Sequence, residues 1–169
     1  MNILIKEEDI KKRVKELGKE INNDYKGKTP ILIGVLKGAF VFLADLLREL
    51  EIPVEIDFLG ISSYTGTKSS GIVRITQDLS LNIEDRDVIL VEDIVDSGRT
   101  LDYIINNLKI RKPRSIAVCT LLNKKDARVV DVLLTYVGFN IPRVFVVGYG
   151  LDYENKFRNL KYIGVYHGE

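Results

Sequence analysis

Short, nearly unbroken apolar runs constrain this chain most. Residues 30–36, 88–91 and 115–122 consist almost entirely of Ile, Leu, Val, Ala and Cys. A strand with no polar alternate residue cannot turn one face to water, so these runs predict strands buried on both faces, as in a parallel sheet covered by helices. The stretches between them have a different period. Residues 7–22 place Ile10, Val14, Leu17 and Ile21 three and four apart, the spacing of an amphipathic helix, and residues 38–50 and 99–108 read the same way. Residues 53–59 alternate as a strand does, and 72–77, 132–137 and 144–147 complete the predicted strands. Strand-helix alternation without an internal repeat or linker predicts an α/β fold, a mainly parallel sheet flanked by helices, in one domain over residues 1–169.

Charge and rare residues narrow the function. The net charge of +1 supplies no molecule-wide basic field, which argues against nucleic acid as a partner. Cys119 is the only cysteine and lies inside an apolar run, so it reads as a buried thiol, not a nucleophile, in a reducing compartment. The single histidine, His167, reads as solvated, leaving no Ser-His-Asp or Cys-His set. The N-terminus becomes charged at Lys6, so it reads as neither signal peptide nor membrane span, and a soluble cytoplasmic protein is expected.

In parallel sheets ligands bind beyond the carboxyl ends of the strands. The run at 88–91 is followed by Glu92, Asp93, Asp96, Ser97, Gly98, Arg99 and Thr100, and then by helical spacing. Gly98 can take positive φ and allow a ligand close to the backbone. N–H groups at the helix start, with the Ser97 and Thr100 hydroxyls, suit a phosphate. Glu92 and Asp93 can hold sugar hydroxyls, directly or through a hard divalent cation. A helix cap alone explains one polar residue here, not three grouped carboxylates.

Residues 92–101 resemble the phosphoribosyl-pyrophosphate motif of the type I phosphoribosyltransferases. The likeness extends over nearly the whole chain, through Gly34-Val35-Leu36-Lys37-Gly38, Ser63-Tyr64, Lys68-Ser69-Ser70-Gly71, Lys112-Pro113-Arg114-Ser115 and the segment from Phe145 to Tyr153. These later segments narrow it to the hypoxanthine-guanine branch. The resemblance implies that family's fold, with a small hood and a mobile loop, and transfer of a phosphoribosyl group from phosphoribosyl pyrophosphate to a 6-oxopurine with Mg2+. Relatives form dimers and tetramers, so a homodimer or homotetramer is expected.

The resemblance also implies roles. Glu92 and Asp93 serve the ribose hydroxyls and Mg2+, Asp152 is a further metal-linked carboxylate, and Asp96 is the catalytic acid facing purine N7. Ser97, Gly98, Arg99 and Thr100 surround the 5′-phosphate, with Arg99 dependent on its backbone. Leu36, Lys37, Gly38 and Arg158 serve pyrophosphate, with a cis peptide expected at Leu36-Lys37. Lys124 donates to the purine 6-oxygen, which favours an oxo over an amino group. Phe145 stacks on the purine and Val146 offers its backbone to the base edge, although on its own pattern Phe145 reads as a core residue. Ser63 and Tyr64 belong to the Ser/Thr/Gly-rich loop 62–71, expected to close over the site and exclude water. Two rivals remain: a regulator on the same scaffold binding phosphoribosyl pyrophosphate or RNA without turnover, and a receiver-type domain with an acidic metal pocket. For the closing loop, Tyr64→Ala is expected to lower turnover or to let water attack the sugar. Unchanged turnover, with no extra pyrophosphate release without base, would count against that role.

Overall fold

The structure, a computed structural model, describes residues 1–63 and 73–168. Its elements are β1 (Asn2–Ile5), α1 (Glu7–Asp24), β2 (Ile31–Leu36), α2 (Phe40–Arg48), β3 (Glu55–Ser63), β4 (Val73–Gln77), β5 (Asp87–Val95), α3 (Arg99–Lys109), β6 (Ser115–Asn123), a 3-10 turn (Lys125–Ala127), β7 (Tyr136–Asn140), β8 (Val146–Val147) and β9 (Ile163–Val165). Among the described residues the main sheet has six strands in the order β4-β3-β2-β5-β6-β7. Every neighbouring pair in it is parallel except β3–β4. A second sheet, β1-β9-β8, is antiparallel.

The apolar runs are buried on both faces, as their lack of alternation predicts. Leu32 of β2 with Ile89 and Val91 of β5 packs with Ile10, Leu17 and Ile21 of α1 and Phe42 and Leu46 of α2. Ile31 and Ile33 of β2 with Val88 and Leu90 of β5 packs with Leu101, Ile104 and Leu108 of α3. The chain therefore leaves β2 through a helix on one face and leaves β5 through a helix on the other. Their loops diverge at the carboxyl ends of these two adjacent strands and open a crevice there, at the topological switch point.

Several boundaries differ from the sequence reading. β5 continues beyond Val91, because Glu92 pairs with Thr120, Ile94 with Leu122 and Val95 with Asn123. Backbone hydrogen bonds do not stop where apolar side chains stop, so Glu92 and Asp93 lie within the strand, not after it. The strand expected at 132–137 is Tyr136–Asn140. Leu133 is 83% exposed, and pairing to β6 begins at Cys119↔Tyr136. The strand at 144–147 shortens to Val146–Val147 and belongs to the second sheet. β1 and β9 had no recognised pattern; each is only a few residues long and is stabilised by the other. Burial pushes the Cys119 thiol far above its ordinary value, consistent with an inert core residue.

Leu90→Ala, at a fully buried position, is expected to cost about 2–5 kcal/mol of unfolding free energy. Leu133→Ala should stay within about 0.5 kcal/mol. Urea unfolding of both variants checks the contrast.

Candidate active site

A cavity of about 540 Å³ occupies the crevice at the ends of β2 and β5. Leu36 at the end of β2 lines it with Lys37 and Gly38, Asp93 within β5 lines it with Asp96, Ser97, Gly98 and Thr100 beyond that strand, and Asp152, Asn155 and Arg158 line it from the segment after β8. Ser62 of β3 reaches its edge.

The turn from β5 into α3 depends on Gly98, whose φ is +87°. A Cβ there would lie 2.4 Å from the Val130 carbonyl oxygen. The close approach that glycine permits is thus of the protein's own backbone, whereas the sequence reading gave it to a ligand. Val129 and Val130 N–H groups both donate to the Ser97 carbonyl, at 2.8 and 2.9 Å, and hold the turn from outside. No side chain caps α3 at Gly98; the Arg99 N–H makes only a long 3.3 Å contact with Ser97 Oγ. A helix start of this kind, beside Ser97 and Thr100, can receive an anion.

Gly38 is held even more closely. A Cβ on it would lie 1.8 Å from Asp93 Oδ2, so any larger residue would have to displace that carboxylate. The Leu36-Lys37 peptide just before it is cis. On its other side, a Cβ on Gly150 would lie 2.5 Å from the Gly38 carbonyl oxygen. Arg158 Nη1 donates to the Gly150 carbonyl at 2.7 Å, and its Nη2 lies 3.2 Å from Asp152 Oδ1. Asp152 also accepts from the Asn155 N–H at 2.8 Å.

Burial raises the Glu92 carboxyl well above the ordinary carboxylate value, and the neighbouring Asp93 charge reinforces this. Burial raises Asp93 as well, opposed by the Ile94 N–H, which donates to its Oδ1 at 2.8 Å, by a hydrogen bond from Glu92 and by the Arg158 charge.

Beside the turn, Lys124 follows β6 directly and is buried; its Nζ lies 3.4 Å from Asp96 Oδ2. Phe145 is 51% exposed, so it is not the core residue its flanking pattern suggests. Its ring meets Tyr153 edge-on at 5.9 Å and Tyr166 at 6.3 Å, and Tyr153 stacks on Tyr166 at 4.5 Å. Val146, buried in β8, pairs with Val165. The acid, the lysine and the half-open aromatic group are what transfer onto a planar heterocycle would require.

Known proteins carry the same arrangement of segments. A family profile described as the phosphoribosyl transferase domain matches residues 3–154. The hypoxanthine-guanine phosphoribosyltransferase of Bacillus subtilis (strain 168) is 49% identical over 164 residues, covering 96% of this chain and 91% of its own. The chain belongs to the hypoxanthine-guanine phosphoribosyltransferase family. A crystal structure of a family member from Bacillus anthracis, with a HEPES molecule in its active site, superposes with a TM-score of 0.94 at 44% identity and covers 99% of each chain. The bifunctional protein TilS/HprT of Listeria monocytogenes is 48% identical over 164 residues. That match takes in 96% of this chain and only 25% of the relative, so this chain spans about a quarter of that protein's length.

In this chain the residues expected around phosphate and pyrophosphate converge on one cavity, with one exception. Arg99 does not line it; its side chain is exposed at the start of α3. Lys124, Phe145 and Val146 lie outside its lining, with Lys124 joined to it through Asp96. Ser63 ends β3, and Tyr64 lies outside the described residues. The expected metal-linked carboxylates Glu92, Asp93 and Asp152 all line the cavity, and among the described residues no three acidic, His or Cys side chains cluster closely enough to hold a metal by themselves. Glu92 and Asp93 form one pair and Asp152 pairs with Arg158. Sequence reasoning missed Asn155, Gly150 and Arg128. Only Gly150 carried a signal, as the second glycine around Tyr149.

A group held protonated more firmly in the folded chain stabilises it at low pH, and that contribution is lost as pH rises from the ordinary carboxylate value through the raised one. Glu92→Gln is therefore expected to melt close to the parent at pH 5 and above it at pH 8. Melting temperatures of the substrate-free proteins across that range check this.

Proposed function

We propose that this chain is a purine salvage enzyme. It transfers the 5-phosphoribosyl group from phosphoribosyl pyrophosphate to hypoxanthine, guanine or both, giving IMP or GMP and pyrophosphate. The observation that carries the reading is the contact between Lys124 and Asp96 directly beside the Gly98 turn. A protein that only sensed the sugar phosphate would need neither group, and a receiver-type domain would not need the exposed aromatic at Phe145.

In this reading Ser97, Gly98 and Thr100, with the N–H groups opening α3, hold the 5′-phosphate. Lys37, Gly38 and Arg158 take the pyrophosphate; Arg158, whose guanidinium has five donors, gives one to the Gly150 carbonyl and pairs with Asp152. Lys124 donates to the purine 6-oxygen, Phe145 stacks on the ring, and Val146 offers its backbone to the base edge. Asp96 takes the N7 proton as a ring nitrogen attacks the anomeric carbon and the bond to pyrophosphate breaks. The carbon passes through an oxocarbenium-like state, so the protein mainly positions the two substrates and excludes water.

The donor set fits Mg2+: Glu92 and Asp93 stand adjacent at the cavity, with Asp152 across it, and this ion characteristically takes one or two carboxylates and completes its shell from substrate oxygens. When bound, it would neutralise charge on the leaving pyrophosphate. No helix among the described residues is long and apolar enough to cross a membrane. The proposal is of one domain over residues 1–169, cytoplasmic, acting as a homodimer or homotetramer without nucleic acid or membrane partners.

A spectrophotometric assay with Mg2+, phosphoribosyl pyrophosphate and hypoxanthine, guanine, xanthine or adenine in turn tests the reading. Nucleotide should form with an oxopurine and not with adenine; no product with any oxopurine would leave a binding regulator as the better account. Asp96→Asn is expected to lower kcat on the order of 10²–10⁴-fold, with the KM for phosphoribosyl pyrophosphate moving far less.

A further inference from the structure

One short turn grips Asp96 twice. Lys124 Nζ lies 3.4 Å from its carboxylate Oδ2, and Arg128 Nε donates to its main-chain oxygen at 3.3 Å. The 3-10 turn Lys125–Ala127 makes both reaches possible, with the Arg128 N–H donating back to the Lys125 carbonyl at 3.2 Å. The same guanidinium donates through Nη2 to Asn123 Oδ1. Asn123 immediately precedes Lys124, is 3% exposed, and is held from the next strand through its Nδ2 and Asn140 Oδ1 at 2.9 Å. The stem of Arg128 lies against the phosphate turn, since a Cβ on Gly98 would be 2.9 Å from Arg128 Cδ. The two residues after it are Val129 and Val130, whose N–H groups hold the Ser97 carbonyl.

We propose that Arg128 is a positioning residue for the transfer reaction, a strut that sets the spacing between the purine lysine Lys124, the acid Asp96 and the phosphate turn. This rests on the transferase reading above. The physical case is the geometry of the fork. Planar, rigidly spaced donors meet acceptors at the ends of two different strands, β5 and β6, and a lysine ammonium on its flexible stem cannot span both in a fixed direction. Without the guanidinium, a buried Asn123 oxygen loses its donor and the Asp96 carbonyl loses another. Lys124 and Asp96 then drift relative to the Gly98 turn. A displacement near 1 Å at reacting groups costs on the order of 100-fold in rate.

The test compares Arg128→Ala and Arg128→Lys with the parent in two independent measurements. Hydrogen exchange of the Val129 and Val130 amides, without substrate, should be faster in Arg128→Ala. With hypoxanthine, kcat of Arg128→Ala should fall on the order of 10- to 100-fold, and the KM for phosphoribosyl pyrophosphate should rise by a smaller factor. Arg128→Lys should fall between, and millimolar guanidinium should restore part of the lost kcat. Parent-like amide exchange in Arg128→Ala overturns the strut. So does parent-like kcat, or an equal loss in both variants without rescue, the pattern of general loosening. A parent that makes no nucleotide from any oxopurine defeats the transferase reading alone, since the exchange measurement needs no turnover and still decides whether Arg128 holds the turn.

Discussion

The Asp93 carboxylate rests against the α-carbon of Gly38, at a distance where a single methyl group could not be placed. This contact joins the ends of β2 and β5. The two strands run parallel and in register from Ile31↔Val88 to Gly34↔Val91, and there the ladder stops. Their chains then diverge to helices on opposite faces, and the loop after β2 returns only as far as Gly38. Gly150 repeats the arrangement from the other side, its missing side chain leaving room for the Gly38 carbonyl. Three segments far apart in sequence are thus stacked through two glycines.

The same arrangement carries an electrostatic cost. β5 is buried on both faces, and it brings Glu92 and Asp93 into that environment while its backbone ladder is still intact. Burying adjacent carboxylates opposes folding unless something positive meets them. On Asp93 the Ile94 N–H, a hydrogen bond from Glu92 and the Arg158 guanidinium act in that direction. Such a departure from a consistent core is expected where a site is stored in the fold, to be relieved when a charged substrate and a cation arrive. The second sheet supports the other half of this arrangement. β8 and β9 pair beside the segment that carries Phe145 and the turn around Gly150, with the Tyr166 N–H donating to the Phe145 carbonyl, and Tyr149, between the two glycines, donates to Asp45 of α2 at 2.5 Å.

Local signals were the legible ones. The β5–α3 turn could be read because Asp96, Ser97, Gly98 and Thr100 fall within five consecutive residues and each residue type has a conformational meaning by itself. The positive φ at Gly98 and the helix beginning at Arg99 follow from that. What Gly98 approaches could not be read, because Val130 lies on another segment. Arg128 was invisible for the same reason, since one basic residue after a turn has no pattern until Asn123 and the Asp96 carbonyl are seen beside it. Phe145 looked like core because it adjoins apolar residues, yet it lies just before the two-residue strand β8 and its ring stays half open.

Hydropathy pattern and residue chemistry are properties of each position with its near neighbours. By itself, then, the sequence determined the parallel core strands, the three helices, the phosphate-type turn and the family these imply. Tertiary structure alone decided where β5 ends, which strands form the second sheet, and how Gly38, Asp93 and Gly150 come to touch. Those outcomes depend on backbone pairing and on distances between segments separated by tens of residues. Such distances exist only once the sheet order is set, because burial drives the runs together without specifying which loop will meet which.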